Sequence, residues 1–275
     1  IEREASRLLP VSLLLSSDPA EHVFQFIVVN QKATPIGKAL LGTIVSTTLS
    51  NDELTRVSNR LSAADIQLDQ SRSVAYLSRN PFSPFKNRIE TGMAGEAADR
   101  LAWSVAASLV KIFQKLKGGK LFGQKIDFAD KWKRDCLASS EIVSDFSKKG
   151  FNSPFEYWSS QEGPWREVFI RFYSVVRKEF AKDDPESSSY WGAPKSSNVF
   201  NKISLTILAA DFFQFLVERK YSIDSTDDVP RRVDDWLDGV SREYFSRDWR
   251  MTGAKKDGVG IRNNWAKLWA DYRRD

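Results

Sequence analysis

Apolar and polar positions along this chain follow helical spacing almost throughout, and one short apolar run near the start departs from it. Residues 8–15 are almost wholly apolar and end before Asp18-Pro19, a pattern that predicts a strand buried on both faces. A buried strand must form hydrogen bonds along its edges, and the downstream sequence offers hardly another strand. We therefore expect the partner strands, and much of the functional chemistry, in a segment upstream of Ile1.

Capping residues mark the starts of several helices. Asp18, followed by Pro19 and Glu21, predicts one start, and Ser50 with Glu53 predicts a second capping box. Apolar stripes at spacings of three and four residues predict further helices. We place these from Thr34 and from Ser62 onward, and over residues 101–116, 128–136, 139–147, 163–176, 199–218, 229–240 and 261–272.

These elements predict a mainly α-helical chain with a small α+β remnant around one buried strand. The composition shifts at residues 91–95, and we place a boundary there between an α/β segment, residues 1–92, and an all-helical sub-domain, residues 93–275. In the second part, Gly118-Gly119 is expected to end a helix. Asn198 is expected to cap the most hydrophobic helix, which we place at the centre of the core.

The composition is that of an ordinary globular protein and removes several classes of site. The 275 residues contain one cysteine, Cys136, and one histidine, His22. This disfavours a Cys/His zinc site or catalytic pair and fits the reducing cytoplasm, while a magnesium site built from carboxylates stays open. No apolar run approaches the roughly 20 residues that a membrane helix needs.

The positive charge is unevenly placed. The net charge is +5, and residues 241–275 hold nine Arg or Lys and five acids, a net +4. A basic end of this kind can dock on phosphates, although a solvated helical face is the commoner use of such charge. The candidate DNA-binding residues are Arg250, Lys255, Lys256 and Arg262.

A polar stretch from Asn30 to Pro35 lies where two predicted helices meet. The second helix would offer a partly positive N-terminus at Thr34, and Lys32 would add to its attraction for anions. Asn30, Gln31, Lys32 and Thr34 are therefore candidate nucleotide or phosphate ligands. A plain helix–helix turn explains the same residues equally well.

Two other features are weaker candidates. Residues 118–125 have the glycine spacing of a P-loop, but Gln124 and Lys125 stand where that motif needs Lys and then Ser or Thr. Nine tryptophans could form a stacking surface for single-stranded nucleic acid, although most of them fit core positions. Trp158, Trp191 and Trp249 lie in loop-like contexts and are the candidates for exposure.

The stretch Phe26-Ile27-Val28-Val29-Asn30-Gln31-Lys32-Ala33-Thr34-Pro35 resembles the second half of the DGQHR-domain family, which includes DndB-type proteins and, more distantly, ParB-like proteins. Pro81–Glu90, Ser197–Leu205 and Gly258-Val259-Gly260 fit the same pattern. The Asp-Gly-Gln-His-Arg signature itself is not in the sequence. The resemblance implies a ParB/sulfiredoxin-like half domain and a role in DNA modification, phage defence or mobile elements.

Three functions follow as hypotheses. The leading one is DNA binding by an accessory or regulatory protein of such a system, with phosphates met by Lys32, the Thr34 helix end and the basic C-terminal residues. The second is a nucleotide-hydrolysing enzyme that uses a nucleoside triphosphate with Mg²⁺ and whose catalytic motif lies in a missing N-terminal segment. The third is a protein–protein scaffold that uses exposed Trp158 and Trp191.

Overall fold

The computed structural model describes residues 13, 15–33, 40–41, 44, 49–63, 69–90, 99–121, 124–238 and 245. This part of the chain is mainly helical, as predicted, with a single antiparallel hairpin. Its helices are α1 Pro19–Ala33, α2 Asn51–Ala63, α3 Asp69–Arg79, α4 Trp103–Lys115, α5 Ala129–Asp135, α6 Glu141–Asp145, α7 Pro154–Ser159, α8 Trp165–Phe180, α9 Lys202–Arg219 and α10 Val229–Leu237. The strands are β1 Lys117–Leu121 and β2 Gln124–Asp127. None of these helices is long and apolar enough to cross a bilayer.

The predicted N-terminal strand is wrong at the two positions that the structure describes. Leu13 and Leu15 lie outside any strand, and their side chains are 79% and 87% exposed. Just before α1, Ser16 Oγ accepts a hydrogen bond from the Asp18 N–H at 3.1 Å. Such a local contact between a side chain and the backbone competes with the pairing that a strand needs. The other residues of the predicted strand, 8–12 and Leu14, lie outside the described residues.

Both predicted N-terminal caps form. Asp18 Oδ1 accepts from the Ala20 N–H at 2.9 Å, and the capping box of Ser50 and Glu53 closes at 2.8 and 3.4 Å. Glu21 does not complete a box with Asp18, because Arg60 on α2 and Gln25 hold its carboxylate. Helices α1 and α2 pack around a small aliphatic cluster formed by Ala20, Val23, Ile27, Leu41, Leu49, Val57 and Leu61.

The large core is aromatic and lies between α4, α8 and α9. The Phe113 ring on α4 lies 4.9 Å from Phe169 on α8 and 5.0 Å from Phe213 on α9. Helix α9 carries buried residues on most of its circumference, which confirms its predicted central position. Residues from Val74 to Phe245 share this core.

The cap of α9 is Asn201, and the prediction of Asn198 was wrong. Asn201 Oδ1 accepts from the N–H groups of Ile203 and Ser204 at 3.0 and 3.1 Å. Asn198 lies in the preceding turn, which Ser197 closes by accepting the Phe200 N–H at 2.8 Å. The helix therefore begins three residues later than its apolar pattern suggested.

The chain at Gly118-Gly119 forms a strand, where a loop after a helix C-cap was expected. Helix α4 ends at Leu116, which takes the left-handed conformation (φ 51°). β1 then pairs with β2, with Lys120 opposite Lys125, and the Phe128 N–H bonds the Leu116 carbonyl at 2.8 Å to close the base of the hairpin.

The predicted boundary at residues 91–95 lies outside the described residues. On either side of it, Ile89 and Leu101 form a parallel bridge. Phe85 packs 5.4 Å from Phe169 in the large core. Residues just before the predicted boundary thus share a core with residues after it, and the division into two domains stays a prediction.

Candidate functional site

The candidate phosphate ligands at the end of α1 are only partly described. Asn30 Nδ2 donates to the Phe26 carbonyl at 2.7 Å, so this amide is bonded within its own helix. Gln31 and Lys32 belong to the last turn of α1, the end of a helix that carries partial negative charge. Thr34, whose helix start was expected to supply positive charge, lies outside the described residues.

The C-terminal candidates Arg250, Lys255, Lys256 and Arg262 also lie outside the described residues, so their grouping stays a prediction. The predicted helix over residues 261–272 stays a prediction for the same reason. The candidate site that the structure does describe lies elsewhere on the chain.

The expectation that Trp158 and Trp191 are exposed was wrong. Both side chains are fully buried. The Trp158 indole N–H donates to the Phe113 carbonyl at 2.8 Å, and that of Trp191 donates to the Pro84 carbonyl at 2.8 Å. Backbone carbonyls thus replace water as partners of the two indoles, which makes burial favourable. The scaffold hypothesis therefore loses the two exposed side chains, Trp158 and Trp191, that it required.

A more basic stretch than the C-terminus lies in the middle of the chain. Residues 111–134, here called the basic segment, contain eight Lys or Arg and two Asp, a net +6 that exceeds the +5 of the whole protein. The basic residues are Lys111, Lys115, Lys117, Lys120, Lys125, Lys131, Lys133 and Arg134. Sequence reasoning missed this stretch because its charges are divided among the end of α4, the hairpin and α5. A running charge count along the sequence would have found it.

The hairpin presents its charged face outward because its other face packs on α9. A Cβ at Gly118 would lie 3.2 Å from Ile126 Cγ2 and 3.4 Å from Ala210 Cβ, so the missing side chain lets β1 lie against the helix. Side chains alternate along a strand, and Lys125 and Asp127 therefore lie on the face opposite Ile126. Lys117 joins that face by pairing with Asp127 at 3.6 Å.

The flanking helices continue the charge on both sides of the hairpin. Lys111 and Lys115 are exposed one turn apart on the last part of α4. On α5, Lys131 and Arg134 are exposed, while Trp132 is buried and fixes the helix by packing 5.6 Å from Phe213.

Most of these cations have no acidic partner in the part of the chain that the structure describes. Among the described residues, Lys117 has its ion pair with Asp127 and Lys133 lies 4.3 Å over the Phe155 ring. The exposed cations that have neither an ion pair nor a ring contact among the described residues are Lys111, Lys115, Lys125, Lys131 and Arg134. They are available to an external anion.

Nucleophile and metal chemistry find little support in the described part of the chain. Burial raises the pKa of the Cys136 thiol to about 12, and its sulfur lies 3.7 Å from the Leu216 carbonyl, so it is a core residue. His22 is exposed and contacts the Ser16 carbonyl. No group of three or more His, Cys, Asp or Glu that could hold a metal occurs among the described residues.

Comparison with known proteins adds no relative. No protein-family model, no curated protein and no solved structure matches the chain. The resemblance to the DGQHR-domain family thus has only the residues quoted above as its support. The function of the protein must therefore be inferred from the geometry of the chain itself.

Proposed function

We propose that this protein binds DNA through the phosphate backbone, with the basic segment as the contact surface. The observation that carries the proposal is the +6 charge of residues 111–134, together with five exposed cations that have neither an ion pair nor a ring contact among the described residues. Fixed positive charge of this density attracts polyanions and releases their counterions on binding. DNA is the polyanion that the family resemblance favours.

The arrangement suits an extended polyanion better than a small one. The cations are distributed over the end of α4, the hairpin and α5, and lysines one helical turn apart, such as Lys111 and Lys115, are separated by about 6 Å. A single small anion could contact only one or two of them. A nucleic-acid strand carries a charge at every nucleotide and can contact several together.

The wider role remains that of the leading hypothesis: an accessory or regulatory protein of a DNA-modification, phage-defence or mobile-element system, acting in the cytoplasm. In this proposal Lys32, Thr34 and the C-terminal Arg250, Lys255, Lys256 and Arg262 would extend the contact beyond the basic segment. No contact among the described residues favours the second hypothesis, nucleotide hydrolysis.

The test is the salt dependence of binding to a labelled duplex of about 24 base pairs, measured by fluorescence anisotropy between about 50 and 200 mM salt. If all five unpaired cations meet phosphates, the slope of log K against log salt approaches about −4.5. The variant K111Q/K115Q/K125Q/K131Q/R134Q is expected to lose most of the affinity and to flatten this slope.

A charge-matched control separates position from net charge. The variant K86Q/K149Q/K182Q/K195Q/K202Q removes five exposed lysines outside the basic segment and should bind almost as the native protein does. Equal losses of DNA affinity in the two variants would show that binding depends on net charge and not on the position of the cations. A third variant, R250Q/K255Q/K256Q/R262Q, measures the contribution of the C-terminal candidates.

A further inference from the structure

We propose that a second site, a cavity between α3, α6, α7 and the start of α8, binds a small zwitterionic molecule, with Arg166 taking its carboxylate and Glu141 its ammonium group. The cavity has a volume of about 340 Å³. Its functional lining residues are Tyr76, Glu141, Asp145, Tyr157, Glu162 and Arg166. The inference is independent of DNA binding.

Arg166 is the residue that points to a ligand. Its guanidinium carbon lies 4.1 Å over the Tyr76 ring, and its Nε is buried without an acceptor in the described residues. Burial lowers the pKa of this side chain, which shows that the cation is poorly hydrated. A planar guanidinium held on an aromatic ring with free donors is suited to a carboxylate.

The acidic groups near Arg166 are already engaged. Glu162 pairs with Arg72 at 3.9 Å, and Glu167 receives a hydrogen bond from Arg171 at 2.8 Å. Neither carboxylate forms an ion pair with Arg166. Their negative charge still disfavours a multiply charged anion such as phosphate, so a monoanionic carboxylate is the better match.

Two acidic residues of α6, Glu141 and Asp145, line the same cavity. Asp145 is paired with Lys148 at 2.9 Å, whereas Glu141 is exposed and has no ion pair with a described residue. Both carboxylates share the lining of the cavity with Tyr157, and burial, and then the charges of Asp145 and Glu141, raise the pKa of Tyr157. A ligand ammonium group beside Glu141 would relieve this excess of negative charge.

The cavity is held by close backbone packing. A Cβ at Gly163 would lie 2.1 Å from the Trp158 carbonyl oxygen, so only glycine lets the start of α8 lie against the end of α7. The Trp165 indole N–H fixes the same turn by donating to the Ser160 carbonyl at 2.8 Å. Arg166 is the residue after this anchor, and the site is therefore pre-organised.

The test compares zwitterions with analogues that carry one charge. Isothermal titration of the full chain would use 4-aminobutyrate and 6-aminohexanoate as probes, with butyrate, hexanoate, butylamine and hexylamine as controls. At least one zwitterion should bind saturably, and its two single-charge analogues should bind about tenfold or more weakly. Comparable binding by all three, or no saturable binding by either zwitterion, would overturn the proposal.

Two variants assign the ends of the ligand. Arg166→Gln should abolish the advantage of the zwitterion over the amine, and Glu141→Gln should abolish its advantage over the carboxylate. Lys195→Gln and Glu186→Gln, exposed residues outside the cavity, should leave binding unchanged. Unaltered selectivity in folded Arg166→Gln would contradict the assignment, and should that variant fail to fold, the probe series on the native chain decides.

Discussion

The two apolar clusters of this protein are stabilised in different ways. The large core is built mainly from aromatic rings, several of which donate hydrogen bonds within the protein, as when the Trp236 indole N–H donates to Asp211 at 2.7 Å. The small cluster of α1 and α2 is aliphatic, and Arg60 links the two helices at the surface through Glu21 and the Phe24 ring, 3.8 Å away. Exposed ion pairs contribute little to stability, so we expect α1 and α2 to separate more readily.

This difference bears on function because both proposed sites lie on elements of the large core. The basic segment is anchored by Trp132, and the Arg166 cavity by Trp165. Sites that must hold several groups in place benefit from such rigid support. The candidate ligands Asn30, Gln31 and Lys32 belong instead to the last turn of α1, a helix that packs on the weaker cluster.

The largest effect is expected from Trp158→Ala. This change removes a fully buried indole and its bond to the Phe113 carbonyl, so unfolding should become easier by about 3–5 kcal/mol. Urea denaturation followed by the remaining tryptophans would measure it. Val57→Ala in the small cluster is the comparison, and it should leave hydrogen exchange of α8 unchanged. A Trp158→Ala protein of native stability would show that the indole is not part of the core.

The cap of α9 gives the next effect. Asn201→Ala should cost about 2 kcal/mol, because it removes a helix cap and leaves the Ser197 carbonyl without its donor. The lost partners include the Ser197 carbonyl at 3.0 Å and the Asn198 carbonyl at 2.8 Å. Denaturation midpoints of Asn201→Ala and Asn198→Ala, measured together, check the assignment. Native stability in Asn201→Ala would contradict the assignment, whereas a loss in Asn198→Ala reports its own bond to the Phe245 carbonyl at 3.2 Å.

The smallest effect concerns pH and the small cluster. The hydrogen bond from Arg60 holds the pKa of Glu21 below its ordinary value. The contribution of this bond is therefore complete above the unfolded carboxyl pKa of about 4.3 and is lost as pH falls through the lower folded pKa. Hydrogen-exchange protection factors of α1 should drop between about pH 6 and pH 3 more than those of α8.

Glu21→Gln provides the control for this pH effect. It removes the titrating group, so its α1 protection should be lower near neutral pH and should depend less on acid. Identical acid sensitivity in the native and Glu21→Gln proteins would assign the effect to other carboxylates.

Local signals predicted the helices well and the interactions between distant parts poorly. The caps at Asp18 and Ser50, the start of α8 after Gly163 and the central place of α9 each follow from a few neighbouring residues. Burial of Trp158 and Trp191 could not be deduced, because their partners are carbonyls 45 and 107 residues away along the chain.

The hairpin was missed because Gly118-Gly119 after an amphipathic helix is also the usual pattern of a C-cap. Leu116, a residue that seldom takes positive φ, ends the helix in place of glycine. Gly118 instead provides room for β1 against α9. That requirement comes from tertiary packing and leaves no mark in the local sequence. The same applies to Arg166, whose Nε has no acceptor among the described residues, a feature visible only once α3 and α8 are in contact.

The most direct measurement of the central claim is lysine-modification footprinting of the full chain with and without duplex DNA. Mass spectrometry after brief acetylation reports the accessibility of each lysine. We predict that DNA protects Lys111, Lys115, Lys125 and Lys131 and leaves Lys86, Lys195 and Lys202 as reactive as before. Uniform reactivity with bound DNA, or protection confined to lysines outside residues 111–134, would contradict the assignment of the basic segment as the DNA contact.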